Sequence, residues 1–187
     1  MENIVFSRVW EMPNSKTFKI HCIRDLILKY ANGKVLDPFA NESSIKTYLN
    51  NCEYISNDLD MEYKTDYHLE AQDFLKLFED NSIDVVLYDP PYSNRQVSEC
   101  YKKLGKTVTM KDTSSEYFVK FKKEISRVLK PGGICISFGW NTNGIGKKYG
   151  FEIIEILDIA HGGSHNDTLV TVEKKIENYK YDLLEEL

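Results

Sequence analysis

The chain has 187 residues, 42% hydrophobic and 28% charged, with a formal net charge of −5. Those values describe a globular protein with one well-buried domain, and no apolar run is long enough to span a bilayer. The start, Met1-Glu2-Asn3-Ile4, lacks the basic and apolar regions of a secretory signal, and the acidic balance argues against coating nucleic acid through bulk electrostatics.

In chain order, Ile20, Ile23, Leu26, Ile27 and Tyr30 recur at helical spacing and predict a helix over 18–31, stopped by Asn32-Gly33. Lys34-Val35-Leu36 reads as a short buried strand ending at Asp37-Pro38-Phe39. A helix is expected over 42–50, then a strand at Glu53-Tyr54-Ile55-Ser56 that ends in Asn57-Asp58. Residues 68–75 lead into a short helix, and 83–88 form the next strand. The polar stretch 93–114 is too long for a connector and reads as a lid or binding loop. A helix is predicted over 115–129, with Phe118, Phe121, Ile125, Val128 and Leu129 on one face, stopping at Lys130-Pro131-Gly132-Gly133. Strands are expected at 134–138, 150–157 and 168–173, and the charged tail 174–187 is expected to fray or form a surface helix.

Strands alternating with helices, followed by two late strands, indicate an α/β fold. The expected architecture is a doubly wound, mostly parallel sheet with an antiparallel edge strand. No repeat or linker interrupts residues 1–187, so a single domain is expected. Cys22, Cys52, Cys100 and Cys135 are scattered without CxxC spacing, which fits free thiols in a reducing cytoplasm and offers neither a zinc site nor a disulfide framework. His161 and His165 bracket a glycine-rich hairpin, and no metal site is assigned to them.

The chemistry concentrates at Asp89-Pro90-Pro91-Tyr92, directly after the apolar run 83–88. A carboxylate, two prolines and an aromatic ring at the carboxyl end of a strand can hold a planar exocyclic amine. Open α/β sheets place ligands at that edge. As a plain turn, the same residues would supply a cap and a packing ring. Acidic residues also follow the other strands or the segments between them: Asp37, Asp58 and Asp73. They converge on the crevice where a nucleoside cofactor lies in such sheets, although Asp73 also suits a helix N-cap. Trp140 and Asn141 follow the predicted strand 134–138 on the same edge. Ser93, Asn94 and Arg95 open the long polar stretch, with Lys102, Lys103 and Lys106 beyond.

Val35-Leu36-Asp37-Pro38-Phe39-Ala40, taken with Leu87-Tyr88-Asp89-Pro90-Pro91-Tyr92, resembles the amino-group nucleic-acid methyltransferases that use S-adenosylmethionine. Trp10 to Phe18, Phe138-Gly139-Trp140-Asn141 and 167–174 are similar to elements of the small phage-type N6-adenine DNA methyltransferases. The resemblance implies a Rossmann-like class I methyltransferase fold and transfer to adenine N6 in DNA. Asp37, Pro38 and Phe39 would flank the methionine end of the cofactor, with Thr17 and Phe18 on the same side. Asp58 would hold the ribose, and Asp73 the cofactor adenine with Phe74 beside it. Asp89, Pro90, Pro91 and Tyr92 would grip the substrate base, while Ser93, Asn94, Arg95, Trp140 and Asn141 would contact the substrate.

Two departures from the family pattern matter. The glycine-rich turn that commonly follows Asp-Pro-Phe is here Ala40-Asn41-Glu42-Ser43, and no segment is long enough to be a separate target-recognition domain. Recognition would then be loose, or borrowed from a second copy or a specificity partner. RNA base methylation and a non-catalytic binding module that keeps the cofactor fold stand as alternatives.

Overall fold

The structure, a computed structural model, describes residues 3–110, 114 and 116–177. Seven strands form one sheet: β1 (Val5–Trp10), β2 (Lys34–Asp37), β3 (Glu53–Ser56), β4 (Ile83–Tyr88), β5 (Leu129–Gly139), β6 (Phe151–Ala160) and β7 (Thr168–Lys175). Four helices accompany them: α1 (His21–Tyr30), α2 (Ala71–Leu75), α3 (Asn94–Lys103) and α4 (Glu116–Val128). The order across the sheet is β1-β6-β7-β5-β4-β2-β3. All neighbours pair in parallel except on the flank where β7 runs antiparallel to both β5 and β6. The expected doubly wound, mostly parallel sheet is therefore present.

Both faces of the sheet are covered, which is why the central strands are apolar throughout rather than alternating. Val35, Val85, Leu87, Ile136 and Phe138 turn toward Phe18, Ile20, Ile23 and Ile27 on one face. Leu36, Val86, Tyr88 and Cys135 turn to the other, against Phe74, Val97, Tyr101, Phe121 and Ile125 of α2, α3 and α4. Val85 and Val86 are both fully buried, although they point in opposite directions.

Several segments differ from expectation for identifiable reasons. The helix expected over 42–50 is one 3₁₀ turn, Lys46–Tyr48. Asn41 (φ 49°) and Ser43 (φ 52°) take the left-handed conformation, so no regular helix can begin there. The first part of the polar stretch 93–114 is not a loop but α3, seated by buried Val97 and Tyr101 one turn apart. β1 was not foreseen: as an edge strand exposing Val5, Phe6, Val9 and Trp10, it shows no inward-facing alternation. β5 begins at Leu129, before the Lys130-Pro131-Gly132-Gly133 segment expected to separate helix from strand. The ladder with β4 jumps there from Ile83↔Leu129 to Val85↔Ile134. A Cβ on Gly133 would lie 2.9 Å from the Lys130 carbonyl oxygen, so only glycine fits that bulge. β7 runs on to Lys175, into the predicted tail 174–187, and the part of that tail beyond residue 177 lies outside the described residues.

Candidate functional site

After β2 the chain moves outward to β3, and it returns on the opposite side of β2 as β4. That reversal is a topological switch point, and the carboxyl ends of all three strands open there into one crevice. The cleft has a volume of about 530 Å³. Its floor and walls include Thr17, Pro38, Phe39, Asn57, Asp58, Asp89 to Tyr92, and Trp140.

Asp89 leaves β4 directly into this cleft. Its Oδ1 accepts a hydrogen bond from the Tyr92 hydroxyl at 2.8 Å, and that hydroxyl lies 3.5 Å from Thr17 Oγ1. Burial raises the Asp89 carboxyl to about 6, against the downward pull of the Tyr92 and Thr17 hydroxyls. Among the described residues, no lysine or arginine forms an ion pair with it. Tyr92 is held at its backbone as well, its N–H donating to Gln96 Oε1 at 2.6 Å. The Tyr92 ring meets Trp140 edge-on, with centroids 5.6 Å apart. Two rings and a carboxylate thus frame one corner of the cleft.

Asp58 anchors the opposite end. Its Oδ2 accepts the Asn41 N–H and its Oδ1 the Asp60 N–H, each at 2.8 Å. Burial still raises its pKa, because desolvation outweighs those two bonds. The left-handed turn at Asn41 aims that N–H at Asp58, so it does the local work expected of a glycine-rich turn. Asn57, fully buried, ties the strand ends together: its amide donates to the carbonyls of Pro38 (3.1 Å) and Leu69 (3.0 Å) and accepts from the Leu69 N–H (2.9 Å).

The remaining expected residues divide. Pro38 and Phe39 line the cleft, but Asp37 lies beneath its floor, fully buried. The Tyr54 hydroxyl (2.7 Å) and the Phe39 N–H (3.3 Å) donate to it. Burial, aided by repulsion from Asp89 and Asp58, lifts Asp37 to about 8. Thr17 reaches the cleft, whereas Phe18 packs in the core against Phe138. Asp73 does not reach the cleft. It is paired with Lys76 at 3.0 Å and borders a separate small cavity, while Phe74 is fully buried between the rings of Tyr67 and Phe78. The short turn of α2 directs Ala71 inward, and the carboxylate this segment presents to the cleft is Glu70, immediately before the helix. Ser93 caps α3 by accepting the Gln96 N–H, outside the cleft lining. Asn94 and Arg95 are exposed, with Arg95 bound to Glu99. Trp140 lines the cleft, but Asn141 is exposed and accepts the Asn143 N–H. Both ring nitrogens of His161 are engaged, Nδ1 with the Glu11 carbonyl and Nε2 with Thr168 Oγ1, each at 2.8 Å.

One wall, expected as a lid or binding loop over 93–114, is formed by a helix. Gln96, Val97, Cys100, Tyr101 and Lys103 of α3 line the cleft together with Asp58, Asp60 and Glu70. Lys103 pairs with Asp60 at 3.0 Å, and Tyr101 and Lys106 both bond Glu70, at 2.8 and 2.7 Å. Ser93-x-x-Gln96 followed by Val97 and Tyr101 is the sequence signal for this helix.

No protein-family model matches the sequence, and no curated protein does. Solved structures do match. TrmN from Thermus thermophilus aligns with a TM-score of 0.58 at 17% identity, covering 84% of this chain and 49% of that one. The chain therefore spans about half the length of TrmN. The 1,6-didemethyltoxoflavin-N1-methyltransferase of Burkholderia thailandensis, with bound 1,6-didemethyltoxoflavin and S-adenosylhomocysteine, aligns at 0.57 and 12% identity, covering 83% of this chain and 76% of that one. An rRNA methylase from Streptococcus thermophilus aligns at 0.56 and 9% identity, covering 84% and 96%. The fold is that of the class I methyltransferases. In the terms of that fold, the cleft stands at the strand ends and β7 is the late antiparallel strand. Among the described residues, no helix is long and apolar enough to cross a membrane.

Proposed function

We propose that this chain transfers a methyl group from S-adenosylmethionine to the exocyclic N6 amine of adenine in DNA. The observation that carries this reading is Asp89-Pro90-Pro91-Tyr92 at the switch point, in a cleft walled by Tyr92 and Trp140. The cleft's volume lies within the range of small-molecule sites. Its acidic lining, Asp58, Asp60, Glu70 and Asp89, suits a cofactor that carries a sulfonium and an ammonium group.

An exocyclic amine is a poor nucleophile because its lone pair is delocalised into the ring. In this reading the Asp89 carboxylate and the Pro90 carbonyl would each accept one amine hydrogen. Holding both hydrogens draws the nitrogen toward tetrahedral geometry and localises its lone pair. The carboxylate also stabilises the positive charge that develops there. The two prolines keep the turn rigid and remove donors that would compete for those acceptors. Asp58 would hold the ribose of the cofactor, and Pro38 and Phe39 would pack beside its methionine end. S-adenosylmethionine, when bound, supplies the electrophilic methyl group. A base stacked in a duplex does not reach the floor of such a cleft, so the target is flipped out or single-stranded, stacking on the aromatic wall.

RNA in place of DNA is the second reading, favoured by the structural likeness to the rRNA methylase. Target choice would come from a second copy or a partner. The test is transfer of isotope-labelled methyl from S-adenosylmethionine to duplex DNA, single-stranded DNA and total RNA, with digestion to nucleosides and mass spectrometry. Labelled N6-methyldeoxyadenosine supports the proposal, and label only in ribonucleosides moves the substrate to RNA. Cofactor binding without label in any polymer would refute transfer to nucleic acid and favour a binding module.

A further inference from the structure

Gln96 occupies the third position of α3, where a glutamine ordinarily reaches back to cap the helix start. Its backbone N–H is taken by Ser93 Oγ at 3.3 Å, and its side-chain oxygen accepts the Tyr92 N–H at 2.6 Å. The second bond fixes the amide's orientation. An N–H can be matched only by the oxygen, so the opposite corner of the amide is the NH₂ group. No described residue accepts a hydrogen bond from that NH₂, and Gln96 lines the cleft with Asp89, Pro90, Tyr92 and Trp140. The same cleft lining therefore holds the Asp89 carboxylate and Pro90, the acceptors of the proposed grip, together with a Gln96 donor whose orientation is set by the Tyr92 backbone.

That pattern can be compared with the edges of the bases. In adenine the amine N6 lies between N1 and N7, both acceptors. In cytosine the amine N4 has one acceptor neighbour, N3. In guanine the amine N2 lies between N3 and N1–H, a donor that would face the Gln96 NH₂ and leave two donors unmatched. A donor beside an amine grip is satisfied by adenine from either side, but by guanine from one side only.

Building on the methyl-transfer reading above, we propose that Gln96 is a specificity residue that donates to the ring nitrogen next to the target amine and favours adenine over guanine. The informative variant is Gln96→Glu, which keeps an oxygen for the Tyr92 N–H and replaces the donor by an acceptor. Gln96→Met serves as a second variant if Gln96→Glu alters cofactor affinity or circular dichroism.

The experiment takes the shortest oligonucleotide that accepts label in the transfer assay and replaces its target adenine by 1-deazaadenine or 7-deazaadenine. The wild-type protein is expected to lose about tenfold in kcat/KM on the analogue that lacks the contacted nitrogen, the loss typical of one hydrogen bond. Gln96→Glu is expected to lose at least as much on adenine and nothing further on that analogue, while its discrimination against guanine narrows. The role of Gln96 is overturned if the variant keeps the full analogue penalty or methylates adenine at the wild-type rate. Absence of transfer by the wild-type protein to any base overturns the methyl-transfer reading itself, and this proposal with it.

Discussion

In the proposed reaction Asp89 serves as an acceptor, so its protonation should be visible directly in the pH dependence of methyl transfer. Burial places its carboxyl at about 6, instead of the 3.8 of an ordinary aspartate. With a pKa of 6, about nine-tenths of the groups are ionised at pH 7 and about one-tenth at pH 5, so kcat/KM is expected to fall roughly tenfold across that interval. An unshifted aspartate would still be more than nine-tenths ionised at pH 5, giving a nearly flat profile there. Tyr92→Phe removes the hydroxyl that stabilises the carboxylate, so the acid limb should move to higher pH. The assay is the initial rate of methyl transfer at limiting substrate from pH 5 to 8.5 at constant ionic strength. Carboxyl carbon NMR on aspartate-labelled protein, with Asp89→Asn to assign the signal, reads the same titration without turnover. An acid limb near pH 4, or a Tyr92→Phe profile displaced to lower pH, would refute the account of how this acid is tuned.

Other outcomes follow from the same structure. Asp37 is fully buried and raised to about 8, so the folded state binds its proton more tightly than the unfolded state between pH 3.8 and 8. The stability this proton confers is present at low pH and lost as pH rises through that window. About three pH units of the shift have been traversed at pH 7, equivalent to about 4 kcal/mol. Denaturant unfolding should therefore show a stability decline from pH 4 to 7 that is shallower in Asp37→Asn, and identical slopes would contradict the assignment. Asp89→Ala should reduce transfer at least 100-fold while leaving S-adenosylmethionine affinity within about twofold by calorimetry. Asp58→Ala should weaken cofactor affinity by tenfold or more. Matching effects of these two variants on cofactor binding would argue against the division of roles between them. Asn57→Ala removes three hydrogen bonds in a fully buried position, and a loss of about 3 kcal/mol in chemical denaturation is expected.

The sequence revealed elements wherever burial imposes a regular pattern. β2, β4 and β5 are apolar because helices cover both their faces, and α1 carries a single stripe in Ile23, Leu26 and Ile27. β1 has no buried face, so its residues carry no periodic signal, and the pairing Val5↔Glu155 to Trp10↔Ala160 is a long-range fact. α3 buries only Val97 and Tyr101 amid polar residues, too little to stand out from a loop. At the site, Asp58 and Asp89 were legible because they lie two residues and one residue past strands whose ends are fixed by the sheet. Asp73 and Glu70 could not be told apart, since which of them faces the cleft depends on the phase of a five-residue helix. Lys103 and Asn57 owe their positions to contacts with residues distant in sequence, which no local pattern encodes, whereas Gln96 is held locally by Ser93 and Tyr92.

β4, the Asp89–Tyr92 turn and α3 are one uninterrupted stretch of chain, and its far end is fastened through Lys103 to Asp60 and through Tyr101 to Glu70. The Asp89–Tyr92 turn, proposed as the grip on the base, and the roof over Asp60 and Glu70 are consequently a single cassette. Natural or engineered variation that re-shapes the roof drags the grip with it. The rim beyond Trp140 belongs to a different stretch of chain and meets the turn only where the Trp140 ring packs on Tyr92, so new target preferences would be gained more safely by insertion after Trp140 with that ring contact kept.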